Sequence, residues 1–212
     1  MKVSPAKENI LKRIRQALTE PTPIPFPQSE GNSSVYRPSS QEKEIEFAEQ
    51  LAQVQGKFIY CADQDEMLRQ LKLLIAKNAW AQIFCRETAL RRILDEPLKG
   101  LLTAGGLPEA DASITSCELL IARTGSILLS AAQESGRTVS VYAPVHICIA
   151  YSNQLVYDIR EGLEFLQDKY KKGLPSLITL ASGPSRTADI EKTLVVGVHG
   201  PKDVYVFLID AE

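Results

Sequence analysis

From Gln41 onward the chain alternates amphipathic stretches of helical period with short apolar runs, and no other feature limits its fold so strongly. Gln41–Gln53 reads as a helix with Ile45, Ala48, Leu51 and Ala52 on one face, and Lys57–Cys61 as a strand. Asp63 caps a helix running to Lys77, with Glu66 completing a capping box. Trp80–Cys85 is the next strand, and Glu87–Leu94 a helix that Pro97 ends. Residues 100–110 are Gly-rich and loop-like; Asp111–Ile114 follows as a strand and Cys117–Ala122 as a short helix. Ile127–Ser130, Thr138–Tyr142 and Pro144–Tyr151 read as strands, the second returning antiparallel after the polar turn Gln133–Arg137. Asp158–Lys171 is a helix, Ser176–Ala181 a strand, and Val204–Ile209 the last strand. The pattern predicts an α/β fold: a mostly parallel, mixed sheet with helices on both faces.

Ahead of this domain (41–212) stand two segments of different character. Residues 1–20 hold an amphipathic helix, with Ser4 as N-cap, Pro5 as first helical residue, and a stripe of Ile10, Leu11, Ile14 and Leu18 among Lys7, Lys12, Arg13 and Arg15. Such a helix packs on its own domain, on a second copy, or on a membrane or partner surface. Residues 21–40 carry Pro21, Pro23, Pro25, Pro27 and Pro38, the composition of an extended, semi-rigid linker. The two together make an arm able to build a homo-oligomer.

A net charge of −2 offers no global attraction to nucleic acid or an anionic membrane. No apolar run reaches the ~18 residues that span a bilayer, and the N-terminus lacks a signal-peptide core, so the expected location is cytoplasmic. Cys61, Cys85, Cys117 and Cys148 form no C-x-x-C pair and no Cys/His group with metal-ligand spacing. Buried free thiols, no metal and no cofactor in this chain are the expectation. No G-x-G-x-x-G follows a strand, so nicotinamide binding has no support.

The densest stretch is SGPSRTADIEKTLVVGVHGP, Ser182–Pro201. Leu177–Ala181 leads into a Gly/Pro turn, and an amphipathic helix is expected to start at once, with Ser185 and Thr187 capping it, Ile190 and Leu194 facing the core, and Gly197 just past its end. Two readings are open. One is a capped helix behind a rigid turn. The other is an anion site in which backbone N–H groups and Arg186 grip a carboxylate or phosphate. Asp189 and Glu191 suit the first turn of such a helix and also a polar site. Thr124-Gly125-Ser126 is either a plain turn or a pocket wall of small donors. His146, at a strand start, and His199, in the closing loop, are the chain's only histidines; each is a structural hydrogen-bonding residue or, if they converge, a proton carrier.

Gly183–Glu191, Gly197–Pro201 and the final strand together resemble the closing motif of the lactate-utilisation (LUD) domain, and the chain from about residue 40 to 210 resembles its LutC/YkgG branch. Ala122-Arg123-Thr124-Gly125-Ser126 is similar to that family's A-x-T-G-T turn, and Pro144-Val145-His146-Ile147 to its P-x-H-I segment. Arg123 departs from the acidic residue usual before Thr-Gly. The resemblance implies a domain of the sugar-phosphate isomerase and CoA-transferase type. It also implies a role in oxidising L-lactate to pyruvate beside separate iron–sulfur partner proteins, which would carry the clusters. On that reading Thr124, Gly125, Ser126, Gly183, Ser185, Arg186 and Thr187 bind the small carboxylate, and His146, His199, Asp189 or Glu191 takes the hydroxyl proton. The alternatives are a stand-alone transferase or isomerase on an anionic small molecule, with Glu118 or Glu191 as its carboxylate, and a non-catalytic scaffold or regulatory module.

Overall fold

The computed structural model describes residues 5–19, 39, 41–103, 106–187, 195–197 and 199–211. The chain divides into two units, residues 1–38 and 39–212. In the first, Pro5–Thr19 is helix α1. The proline-rich segment lies almost wholly outside the described residues.

In the second unit, helix α2 (Lys43–Gln53), strand β1 (Lys57–Cys61), helix α3 (Gln64–Asn78), strand β2 (Ile83–Cys85), helix α4 (Thr88–Leu94) and strand β3 (Ala112–Thr115) follow in turn. Next come β4 (Leu119–Ile121), β5 (Ser126–Ser130), the single-turn helix α5 (Val139–Tyr142), β6 (Val145–Tyr151), β7 (Leu155–Val156) and α6 (Ile159–Lys169). The chain closes with β8 (Ile178–Ala181), β9 (Arg186–Thr187), β10 (Val195–Val196) and β11 (Asp203–Ile209). Five strands form an all-parallel sheet, β1-β11-β6-β3-β2. Four more form a second, mixed sheet, β7-β4-β5-β8.

Period-two alternation decides what each face of the parallel sheet meets. Ile114, Ile147, Ile149, Tyr205, Phe207 and Ile209 pack against Met67, Leu71 and Ile75 of α3 and Leu90 and Leu94 of α4. Cys148, Ala150, Val204, Val206 and Leu208 point the other way, onto Phe47 and Leu51 of α2 and Leu120, Ile127, Leu129 and Leu155 of the second sheet. Leu166 of α6 covers that sheet's outer side through Leu119 and Leu128. The α/β class and the mostly parallel sheet are as expected; the division into two stacked sheets is new.

Four local expectations change. Leu119–Ile121 is a fully buried strand and no helix, because it lies between the parallel sheet and α6 and is apolar on both sides. Val139–Tyr142 is a helical turn and no strand: Val139 alone is buried, against Leu107, Ala110 and Ala143, while Val141 and Tyr142 stay exposed. Arg186–Thr187 and Val195–Val196 are short antiparallel strands, so Ser185 caps no helix at that point and Gly197 follows a strand. The helix interior expected there, with Asp189, Ile190, Glu191 and Leu194, lies outside the described residues. Finally, α2 buries Phe47 and Leu51 and leaves Ile45 exposed, because Phe47 meets the Phe58 ring edge-on at 5.8 Å.

The helix ends agree with the sequence. The Asp63 carboxylate accepts from the Glu66 N–H at 2.7 Å, and the Glu66 carboxylate accepts from the Ala62 N–H, one residue outside the expected box. Asp158 and Glu161 make a complete capping box at the start of α6.

Candidate functional site

β5 and β8 run antiparallel, Ile127 opposite Ala181, which carries the turn before β5 to the turn after β8. The result is a chain of hydroxyls. Ser126 Oγ lies 2.7 Å from Thr124 Oγ1 and 2.6 Å from Ser182 Oγ. Thr124-Gly125-Ser126 and the head of the closing motif are therefore one place in the fold, as a shared site requires.

Both turns sit on the C-terminal end of α2. Gly125 has φ of 57°, and a Cβ on it would lie 2.3 Å from the Leu51 nitrogen. Gly183 has φ of 73°, and its Cβ would lie 2.3 Å from the Val54 oxygen. Glycine is required twice over, by left-handed backbone and by close approach. Arg186 Nη2 donates to the Val54 carbonyl at 2.7 Å, a cation at the negative end of a helix dipole. One of its five N–H groups is thus already engaged, and the side chain is exposed.

The rest of the motif is tied in through backbone. The Ser185 N–H donates to the Pro201 carbonyl at 2.9 Å, and the Gly197 N–H donates to the Ser185 carbonyl at 3.0 Å. The Lys202 N–H donates to the Pro144 carbonyl at 2.7 Å, joining the closing loop to the P-V-H-I segment. Val204 stands opposite His146 in the β11–β6 ladder. The Thr124–Ser126 turn, the start of the closing motif, the Gly197–Pro201 loop and the Pro144–Ile147 segment are thus linked between the β8 exit and the starts of β6 and β11.

The histidines part company. His146 is fully buried, with Nε2 2.8 Å from Thr115 Oγ1 and Nδ1 without a partner. Burial pushes its pKa down to about 4, so the ring is neutral near pH 7. His199 is exposed, and no hydrogen bond joins it to His146 among the described residues. The side chains of Thr187, Asp189 and Glu191 lie outside the described residues.

Arg123 fills the place of the usual acid. Its Nε lies 2.5 Å from Asp158 Oδ2 and its N–H donates to the Tyr157 carbonyl, so it fastens the Thr-Gly-Ser turn to the N-terminus of α6. At the carboxyl ends of β2 and β3, sequence reading missed the role of Glu87 altogether and named Glu118 without its partners. Buried Glu87 accepts from the Ser116 N–H at 3.1 Å and from its hydroxyl at 2.5 Å. Glu118 accepts from Ser130 at 2.5 Å, Lys169 at 2.6 Å and Tyr170 at 2.7 Å. Burial raises the Glu118 pKa, but the three donors outweigh it and hold the carboxyl below its ordinary range. The available signal was an acid next to a strand end in an apolar setting; only the fold supplies its partners.

All four cysteines are buried free thiols. Burial raises Cys61 to about 11 and Cys85 to about 12, and hydrogen bonding to Cys117 with burial raises Cys148. Among the described residues no three His, Cys, Asp or Glu side chains gather to hold a metal.

The family model of the LUD domain matches residues 107–209, which include every one of these turns. Residues 107–209 are thus similar to a LUD domain. Curated relatives similar to it include lactate utilization protein C of Deinococcus radiodurans, 38% identical over 116 residues, which are 54% of this chain and 52% of that protein. Lactate utilization protein C of Bacillus subtilis is 34% identical over 105 residues, 48% of this chain and 44% of that one. The chain thus spans about half the length of the curated relatives it matches. A crystal structure of a DUF162 family protein from Deinococcus radiodurans shares the fold, with a TM-score of 0.56 and 22% identity over 79% of this chain and 96% of that one. No helix among the described residues is long and apolar enough to cross a membrane.

Proposed function

We propose that this chain is a lactate-utilisation protein, the cluster-free subunit of an iron–sulfur-dependent complex that oxidises L-lactate to pyruvate. The observation that carries the reading is the similarity of this chain to lactate utilization protein C of several bacteria. The joined turns support it. Arg186 pairs with the lactate carboxylate through the N–H groups that Val54 leaves unused, and the Thr124, Ser126 and Ser182 hydroxyls line the approach. Gly125, Gly183, Ser185 and Thr187 shape the loop. The hydroxyl proton passes to exposed His199 or to Asp189 or Glu191, because His146 is buried and resists protonation. The Cα–H bond breaks as well; its proton would pass to solvent and its two electrons to the iron–sulfur partner proteins.

One observation favours a second reading, a non-catalytic scaffold. Gly125, Gly183 and Arg186 all seat the end of α2, a structural task. A tagged pull-down from the native host separates the readings. Brown eluate with lactate-dependent dye reduction, absent from the purified chain, supports a subunit of a redox complex; a colourless chain without partners or lactate activity overturns it. Arg186→Ala within that complex then decides the role of this chain. Lost turnover with the fold intact supports substrate binding, and unchanged kinetics favour the scaffold.

A further inference from the structure

A groove of about 580 Å³ lies away from all of these motifs, beside α2 and the edge strand β1. Its floor is apolar, from Ile45, Ala48 and Phe58, and its rim is acidic, from Glu44, Glu49 and Asp210. Among the described residues no lysine or arginine lines it. Tyr60 adds an exposed ring whose hydroxyl donates to Asp210 at 3.0 Å. Its pKa is raised, first by that hydrogen bond and further by the charges of Asp210, Glu44 and Glu66, which marks a negative field at the groove. Ile45 is 47% exposed although it lies on an otherwise well-packed helix.

Helix α1 is complementary in polarity, with Lys7, Lys12, Arg13 and Arg15 against a single acid, Glu8. Its apolar stripe is uncovered: Ile10 is 59%, Leu11 37% and Ile14 49% exposed. At 3.6 residues per turn, Arg13 and Arg15 fall on opposite sides of that stripe. An apolar ridge between two basic rims fits an apolar floor between acidic rims, the helix-in-groove mode of recognition. The proline-rich sequence that follows α1 favours extension at ~3.1 Å per residue, enough for such an arm to reach another molecule.

We propose that α1 of a second copy of this chain docks in the Ile45–Phe58 groove, its arginines against Glu44 and Glu49, so that two copies exchange arms. Sedimentation equilibrium of the full chain over a concentration series tests this. Wild type should dimerise, and salt raised from about 0.05 to 0.5 M should weaken the dimer. Arg13→Glu with Arg15→Glu, or Glu44→Lys with Glu49→Lys, should each lower association at least about tenfold. An equimolar mixture of the two variants should dimerise again, because each supplies the charge its counterpart needs. Circular dichroism confirms folding, and the arm variant alters α1 alone, so a misfolded groove variant leaves the arm series to decide. A chain that stays monomeric, a dimer indifferent to the arm reversal, or a mixture of folded variants that stays monomeric overturns the proposal.

Discussion

The two faces of the parallel sheet are equally buried and chemically unlike. Toward α3 and α4, β3, β6 and β11 present Ala112, Ile114, Ile147, Ile149, Tyr205, Phe207 and Ile209. Toward α2 and the second sheet, the same strands present Ser113, Thr115, His146 and Cys148 beside Val204, Val206 and Leu208. The first face needs only shape. The second must also satisfy polar groups in a dry interior, and His146 Nδ1 is left unsatisfied. Burial alone therefore does not separate a structural face from one able to do chemistry; the distinction lies in which buried groups can change protonation or partners.

The largest expected effect is on the apolar face. Phe207 is fully buried among α3 and α4 side chains, and Phe207→Ala should destabilise the protein by about 4 kcal/mol in urea unfolding, with little change in acid sensitivity. Gly125→Ala, where the second sheet meets α2, combines left-handed backbone with a backbone clash; a loss of about 3 kcal/mol is expected from the same measurement.

Acid should separate the faces. With the folded pKa of His146 lowered to about 4 from 6.5, the unfolded chain binds its proton first as pH falls. Stability is then full above the unfolded value and declines through the window toward the folded one, by about 2 kcal/mol at about pH 5. His146→Gln should remove most of that decline, and an unchanged acid limb would assign it to other groups. Glu118, held below its ordinary pKa, loses its contribution only at more acidic pH, so the two limbs separate. The smallest effect is on the helix-covered side: exposed Ala79 closes α3 in left-handed backbone at φ 52°, and Ala79→Gly should stabilise by about 1 kcal/mol.

Legibility followed the physics of each segment. Lys57–Cys61, the cap at Asp63, the helix beginning at Asp158, and the β6 and β11 strands were readable because local chemistry and burial agree there. Leu119–Ile121 and Val139–Tyr142 were misread because a short apolar run takes its geometry from what it packs on. Within the candidate site, Thr124, Gly125, Ser126, Gly183 and Arg186 were all named from sequence, yet their contacts with Leu51 and Val54 were not. Ile45 was assigned to the core, and its exposure followed from Phe47 taking the inner position.

By itself the sequence determined the α/β alternation, the cap at Asp63, the apolar stripe of α1 and the glycines of both motif turns, all set by contacts within a few residues. Only the tertiary structure decided that the strands divide into two sheets, that Thr124–Ser126 meets Ser182 on the end of α2, and that His146 is buried while His199 is exposed. Those depend on pairings far apart in the chain, where strand register and competition for the interior select the partners.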